Sequence, residues 1–218
     1  MLFRLLYPPK CVLCGQILEK NRKYWCPCCE NETLSFPAPR RGLPFLEHWT
    51  SLWYYDGRVR ESLLRFKFGG QRGYAEAYGA LLARKIAAQF PEGFDLLTWV
   101  PTSRQRRRKR GFDQSERLAT ALGRHLGHKP VRTLRKTIHN PPQSGIHGYA
   151  QRRANVLGAY RAVDAAAIAG RRILLIDDIV TTGATAGECA RVLLTAGAKS
   201  VSLAAVAAAD KDRKGTSA

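Results

Sequence analysis

The chain has 218 residues, 45% of them hydrophobic, enough for one large domain or one medium domain with a small appendage. Thirty-six Lys and Arg stand against 17 Asp and Glu, a net charge of +19, and such a surplus points to nucleic acid or another polyanion as well as to a small phosphorylated ligand. No apolar run approaches the ~18 residues that cross a bilayer, and the start, MLFRLLYPPKC, is broken by Pro8 and Pro9 too early for a secretion signal; the expectation is a soluble, cytoplasmic protein with no membrane insertion.

Five of the six cysteines fall in CVLCGQILEKNRKYWCPCC (11–29). Cys11 and Cys14 form one CxxC pair and Cys26 and Cys29 another, a spacing that closes a tetrahedral shell of four sulfurs around a structural zinc. Cys28 lies inside the second pair and is an alternative to Cys26 or Cys29. Four protein ligands leave no place for water, so such a zinc holds structure and does no chemistry. Residues 1–35 form this four-cysteine zinc module, too small to fold without its metal. Residues 36–48, with PAPRRGLP, read as a linker, 49–209 as the main domain, and 210–218 as a flexible tail. Cys189 stands alone on a helix, where a buried apolar role is expected.

Within the main domain, 49–55 (WTSLWYY) reads as a strand. Residues 57–68 and 74–90 carry helical apolar spacing. DLLTWVP (95–101) reads as a buried strand, 104–110 as a basic loop, and 114–126 as a helix. Residues 137–148, with His139 and His147, read as a loop. RRILLID (171–177) is the next buried strand, 185–197 a helix and 200–206 a further strand. Strands alternating with 10–17-residue helices imply an α/β fold, a mostly parallel sheet with helices on both faces.

Fifteen basic residues and two acidic ones fall between Pro101 and Arg161. The run Arg104, Gln105, Arg106, Arg107, Arg108, Lys109, Arg110 is either a solvated loop, a cover for a pyrophosphate, or a contact for a nucleic-acid backbone through Arg106 to Arg110. Trp25, Trp49, Trp53 and Tyr54 either stack single-stranded bases or belong to the core.

ILLIDDIVTTGAT (173–185) places two carboxylates beside a turn of hydroxyls and backbone amides. In parallel sheets, ligands sit beyond the carboxyl ends of strands. Asp177 and Asp178 are expected to end a strand there. Thr181, Thr182, Gly183, Ala184 and Thr185 then face a helix N-terminus, a cradle for one phosphate. The acids need hydroxyls or a cation, which a ribose 5-phosphate with Mg2+ supplies. No lysine stands where a Walker loop has one, so this is not an ATPase loop. Acids locked in internal ion pairs, or a turn plugged by side chains, would speak against this pocket.

This loop resembles the phosphoribosyl pyrophosphate loop of type I phosphoribosyltransferases. Together with YYDGRVRESLLRFKFGG (54–70), VPTSRQRRRKRGFDQSERLA (100–119), NPPQSGIHGYAQRRANVLGAY (140–160) and the cysteine module, it is similar to the ComF/GntX family of bacterial proteins named for DNA uptake. Asp113 stands where that family usually has Asn. The resemblance implies that Asp177 and Asp178 hold ribose and Mg2+ as the catalytic pair and that Thr181 to Thr185 hold the 5-phosphate. It also implies that Pro101, Thr102, Ser103 and Arg104 face the pyrophosphate, to which Lys67 and Arg110 add charge. Thr181 stands where related enzymes acting on 6-oxopurines carry an acid. Three roles follow: a phosphoribosyl-pyrophosphate-binding protein of DNA uptake that contacts single-stranded DNA and DNA-uptake machinery proteins; an active phosphoribosyltransferase with a nitrogen acceptor; or a zinc-module adaptor that docks a partner.

Overall fold

The computed structural model describes residues 8–39, 41–138 and 149–209. Strands β1 (Trp49–Tyr54), β2 (Leu96–Trp99), β5 (Arg172–Val180) and β6 (Ser200–Ala208) form a parallel sheet in the order β1-β6-β5-β2. The middle strands carry apolar runs, Ile173–Ile176 and Leu203–Ala208, because both of their faces are covered there. Their side chains alternate between two cores. Leu174, Ile176, Ala204 and Val206 enter one, and Ile173, Leu175, Leu203 and Ala205 the other.

The first core is closed by helices α2 (Gly57–Phe68), α3 (Tyr74–Gln89) and α5 (Gln114–Leu126). Gly79 lets α3 cross α5 closely: a Cβ there would lie 2.7 Å from the Leu122 amide nitrogen. The second core is closed by α8 (Ala184–Thr195) and by an antiparallel ribbon of β3 (Leu134–Lys136) and β4 (Tyr160–Ala162). Short helices α1 (Pro27–Glu32), α4 (Arg104–Arg110), α6 (Tyr149–Val156) and α7 (Ala165–Ile168) complete the described chain.

The cysteine module shares the first core. Cys11, Val12, Leu13 and Cys29 pack in one cluster with Leu63, Phe66 and Tyr78. The Ser62 hydroxyl on α2 donates to the Val12 carbonyl, and Arg65 donates to that of Leu13. Residues 36–48 lie against the body. The Phe36 amide donates to the Leu52 carbonyl at 2.8 Å, and the Glu47 amide to Val201 at 2.9 Å. Leu43 and Leu46 pack against the second core.

Two expectations are corrected, and one element is added. The run 104–110 is a helix, because Ser103 caps its start by accepting from the Arg106 amide and Gly111 closes its end at φ 78°; Arg and Lys are themselves good helix formers. β5 runs three residues past Asp177, since β6 extends beside it and pairs Val180 with Ala208. The ribbon β3–β4 was not read from sequence, its strands being three residues each. The stretch 139–148, with His139 and His147, and the tail 210–218 lie outside the described residues.

No helix among the described residues is long and apolar enough to cross a membrane.

Candidate functional site

The site is built at the end of β5, where its neighbour β2 stops. Trp99 pairs with Ile176, and the Val100 amide donates to the Ile176 carbonyl at 2.9 Å. The chain then turns away at Pro101, and Asp177 and Asp178 follow on β5. Strand alternation sends the two acids to opposite faces. Asp177 lies on the side of Lys136, Tyr160 and Cys189, which feel its charge. Asp178 lies on the side of α2, where its Oδ2 is 2.9 Å from Lys67 Nζ.

Asp177 keeps 9% of its surface. Burial, then the neighbouring Asp178 charge, push its carboxyl up to about 7. Its Oδ1 accepts from Ser115 Oγ at 3.1 Å and from the Asp178 amide at 2.8 Å. Asp113 braces the same region as the N-cap of α5. Its Oδ1 accepts from the Ser115 and Glu116 amides, and its Oδ2 from the Thr102 amide at 2.8 Å. One carboxylate therefore fixes the Pro101–Ser103 loop to the start of α5, while burial raises its pKa. Ser115 and Asp113 were not singled out for these roles in the sequence; the D-x-x-E spacing of Asp113 and Glu116, a helix-start signature, was the available signal.

The turn Thr181–Thr185 leads into α8, but it is not an open cradle. Thr182, Gly183 and Ala184 are buried, and only Thr181 and Thr185 are partly exposed. Thr182 Oγ1 accepts from the Ala184 amide at 3.4 Å, within its own turn. Gly183 has φ 75°, and a Cβ there would lie 2.5 Å from Leu43 Cδ2. Of the two outcomes that would speak against the pocket, the first holds for Asp178, which pairs with Lys67, while Asp177 is held by hydrogen bonds; for the second, Leu43 lies over Gly183. Lys67 holds Asp178, because an ammonium offsets a carboxylate that has a second one beside it. Leu43 covers Gly183, because the 36–48 segment packs on this face in place of a helix.

The basic run is divided by helical geometry. Arg106 and Arg110, one turn apart, are half-buried; Arg104, Arg107, Arg108 and Lys109 are exposed. Burial lowers the Arg110 pKa, with Asp178 the largest opposing charge. Arg110 donates to Gln114 Oε1 at 2.7 Å and lies 4.8 Å from the Phe68 ring centroid. Arg106 faces the ribbon, where its charge acts on Lys136 and Tyr160. A 3.6-residue period in the run was the signal for this division. Of the four aromatic residues, Trp53 belongs to the core, while Trp25, Trp49 and Tyr54 pack on neighbouring rings and keep part of their surface. Trp53 is 2% exposed, Trp25 packs on it at 5.6 Å, and Trp49 and Tyr54 pack on Phe36.

The Sγ atoms of Cys11, Cys14, Cys26 and Cys29 all lie within 4.8 Å of one another and can hold a metal ion. Cys14 and Cys26 Sγ are 3.7 Å apart, close to the ~3.8 Å edge of a tetrahedron with Zn–S bonds of about 2.3 Å. The Cys26 amide points at Cys11 Sγ (3.4 Å) and the Cys29 amide at Cys26 Sγ (3.5 Å), as thiolate ligands require. Cys28 is exposed and outside the cluster; Glu32 and Arg58 hold its thiol at 3.2 Å. Cys189 is fully buried.

Residues 108–217 match the family model described as "Phosphoribosyl transferase domain". The chain is 29% identical to competence protein ComFC of Bacillus subtilis, covering 86% of this chain and 78% of that protein. It is 25% identical to competence protein F of Haemophilus influenzae, over 88% and 82%. It is 31% identical to the DNA utilization protein YhgH of Escherichia coli O157:H7, over 63% and 61%. Among solved structures, the glutamine phosphoribosylpyrophosphate amidotransferase of B. subtilis is 19% identical with a TM-score of 0.44, over 65% of this chain and 30% of that one.

Proposed function

Since the chain belongs to the phosphoribosyl transferase domain family, within its ComF branch, we propose that it binds phosphoribosyl pyrophosphate with Mg2+ and acts in DNA uptake by contacting single-stranded DNA. The observation that carries the ligand is the meeting of the acid pair with two cation-bearing segments. Asp177 and Asp178 stand beside the Pro101–Arg104 loop, which Asp113 holds in place, and Lys67 reaches Asp178 from α2.

In this reading the acids accept the ribose hydroxyls, and the 5-phosphate is taken at the partly exposed Thr181 and Thr185, with Leu43 moving off Gly183 to free the amides between them. Two oxygen-bearing acids next to a diphosphate suit Mg2+, which takes one or two carboxylates and completes its shell with phosphate and water; when bound, it neutralises charge on both. Lys67 leaves Asp178 as the ligand enters and turns to the pyrophosphate. Arg106 and Arg110, on the inner face of α4, join Arg104 there. The four-cysteine cluster takes zinc and holds the module on α2.

A second reading keeps the same site as an active phosphoribosyltransferase. A nitrogen acceptor attacks the anomeric carbon, the bond to the pyrophosphate oxygen breaks, the diphosphate leaves with the electron pair, and the proton shed by the nitrogen passes to solvent. Positioning and charge on the leaving group supply the catalysis. The conjunction of Asp177, Asp178 and Lys67 favours it.

Calorimetric titration with phosphoribosyl pyrophosphate, with and without Mg2+ and then with single-stranded DNA, tests the first reading. Mg2+-dependent binding is expected; its absence overturns it. Pyrophosphate release across a panel of bases and amines tests the second.

A further inference from the structure

A groove runs between the N-terminal end of α3 and the outer faces of α4 and α5. It does not include the acid pair or the 181–185 turn. Its walls carry four arginines from three segments: Arg72 before α3, Arg107 on α4, and Arg117 and Arg124 on α5. We infer that this groove is a second anion site, which takes the sugar-phosphate backbone of single-stranded DNA; it rests on the DNA reading above and gives that reading a location.

Arg72 and Arg117 are held in place, and Arg107 and Arg124 stand exposed beside them. The Arg72 guanidinium lies 5.2 Å from the centroid of the Phe112 ring. Its Nη2 occupies space that Gly111 leaves: a Cβ at that glycine would lie 2.8 Å away. Arg117 Nε donates to the Arg72 carbonyl at 3.2 Å, tying α5 to the same wall. Arg117 and Arg124 are seven residues apart on one helix, two turns or about 10 Å along the axis, so they offer successive contacts along one line. Arg107, with Arg104 and Arg108 exposed beside it, carries that line onto α4.

The acids present do not cancel the groove. Glu116 meets Arg107 at 3.5 Å and Glu76 meets Arg124 at 3.0 Å, and these side chains keep between 34% and 68% of their surface. Exposed pairs of this kind are weak in water. A guanidinium carries five N–H donors in a fork, which a phosphate engages as readily as a carboxylate does. Asp113, the third acid at the wall, is engaged by three backbone amides. A flexible single strand follows a track that bends from α4 onto α5, whereas a duplex is stiff over such lengths.

The division of α4 now has a purpose. Its inner arginines, Arg106 and Arg110, face the acid pair and the ribbon, and its outer ones face the groove. One seven-residue helix therefore separates two anion sites of different chemistry.

The test is the salt dependence of binding to a fluorescent oligothymidylate, read by anisotropy. R72Q/R117Q/R124Q removes three contacts and should lower the slope of log K against log salt by about 2, at about 0.7 for each single-strand phosphate contact. R72K/R117K/R124K, which keeps the charge, should retain most of the slope; losing it would overturn the assignment. An unchanged slope in the glutamine variant, with a flattened one in R106Q/R110Q, would overturn it in favour of the inner face. No salt-dependent binding by the unmodified chain would sink the DNA reading itself, and the groove's occupant with it.

Discussion

Lys67 Nζ lies 2.9 Å from Asp178 Oδ2, and these two side chains keep only 16% and 13% of their surface. The pair joins α2, on which the cysteine module sits, to the strand end that carries the acids. Removing the ammonium leaves two neighbouring carboxylates without it. K67M should destabilise the ligand-free protein by about 3 kcal/mol, the low end of the range for breaking a buried pair, since both side chains keep some surface. Millimolar Mg2+ should restore more stability to K67M than to the unmodified chain, because the cation takes over the lost charge. Urea denaturation with and without Mg2+ measures both. Equal stability of the two proteins would remove the pair from any account of the site.

Asp177 bears the cost of this arrangement. Burial first, then the Asp178 charge, hold its carboxyl up at about 7, against about 3.9 in an unfolded chain. Between those values the folded protein keeps a proton that the unfolded chain has lost. This group's effect is therefore a loss of stability as pH rises from about 4 to about 7, and none beyond. Asn at 177 still offers a carbonyl to Ser115 Oγ and the Asp178 amide. D177N should match the unmodified chain near pH 4 and exceed it by about 1–3 kcal/mol near pH 8, while losing Mg2+-dependent ligand binding. A stability gap that does not widen with pH contradicts the assignment.

The long elements were legible because their patterns are local. Helices 57–68 and 114–126 begin and end where apolar spacing and flanking Asp and Gly put them, and the apolar runs of β5 and β6 mark strands covered on both faces. The acid pair and the threonine turn were legible as a motif. What surrounds them was not, because it depends on contacts distant in sequence. Nothing in residues 36–48 announces that Leu43 lies on Gly183, 140 positions away, or that Lys67 turns toward Asp178. The basic run was misread because six cations in seven residues suggest repulsion; Ser103 and Gly111 supply the caps that make it a helix.

Gly183 combines two constraints. Its φ of 75° favours glycine, and Leu43 Cδ2 fills the space of its missing side chain. G183A should cost about 2–3 kcal/mol, from a left-handed backbone and overpacking together. L43A should cost less, and the double variant should recover the overpacking part alone, a coupling of about 1 kcal/mol or more. A double-mutant cycle by urea denaturation measures this. Strict additivity would mean that Leu43 does not press on the turn.

Removing the metal should affect the whole chain and not only its first 35 residues. Val12 and Leu13 are 1% and 0% exposed, in the same core as Phe66 and Tyr78. The Ser62 hydroxyl and Arg65 reach carbonyls between Cys11 and Cys14. Four sulfurs within 4.8 Å of one another lose the ion that bridges them, and the knuckles then open and uncover that core. Chelation should therefore lower stability by more than about 3 kcal/mol, given the large free energy of structural zinc sites, in a single thermal transition without a separate early step. C26S should release the zinc, as a chromogenic chelator reports. C28S should keep one ion per chain, since Cys28 lies outside the cluster and meets Glu32 and Arg58 instead. Near-normal melting after chelation would make the module an appendage of the fold, and the link from zinc through α2 to Lys67 would fall with it.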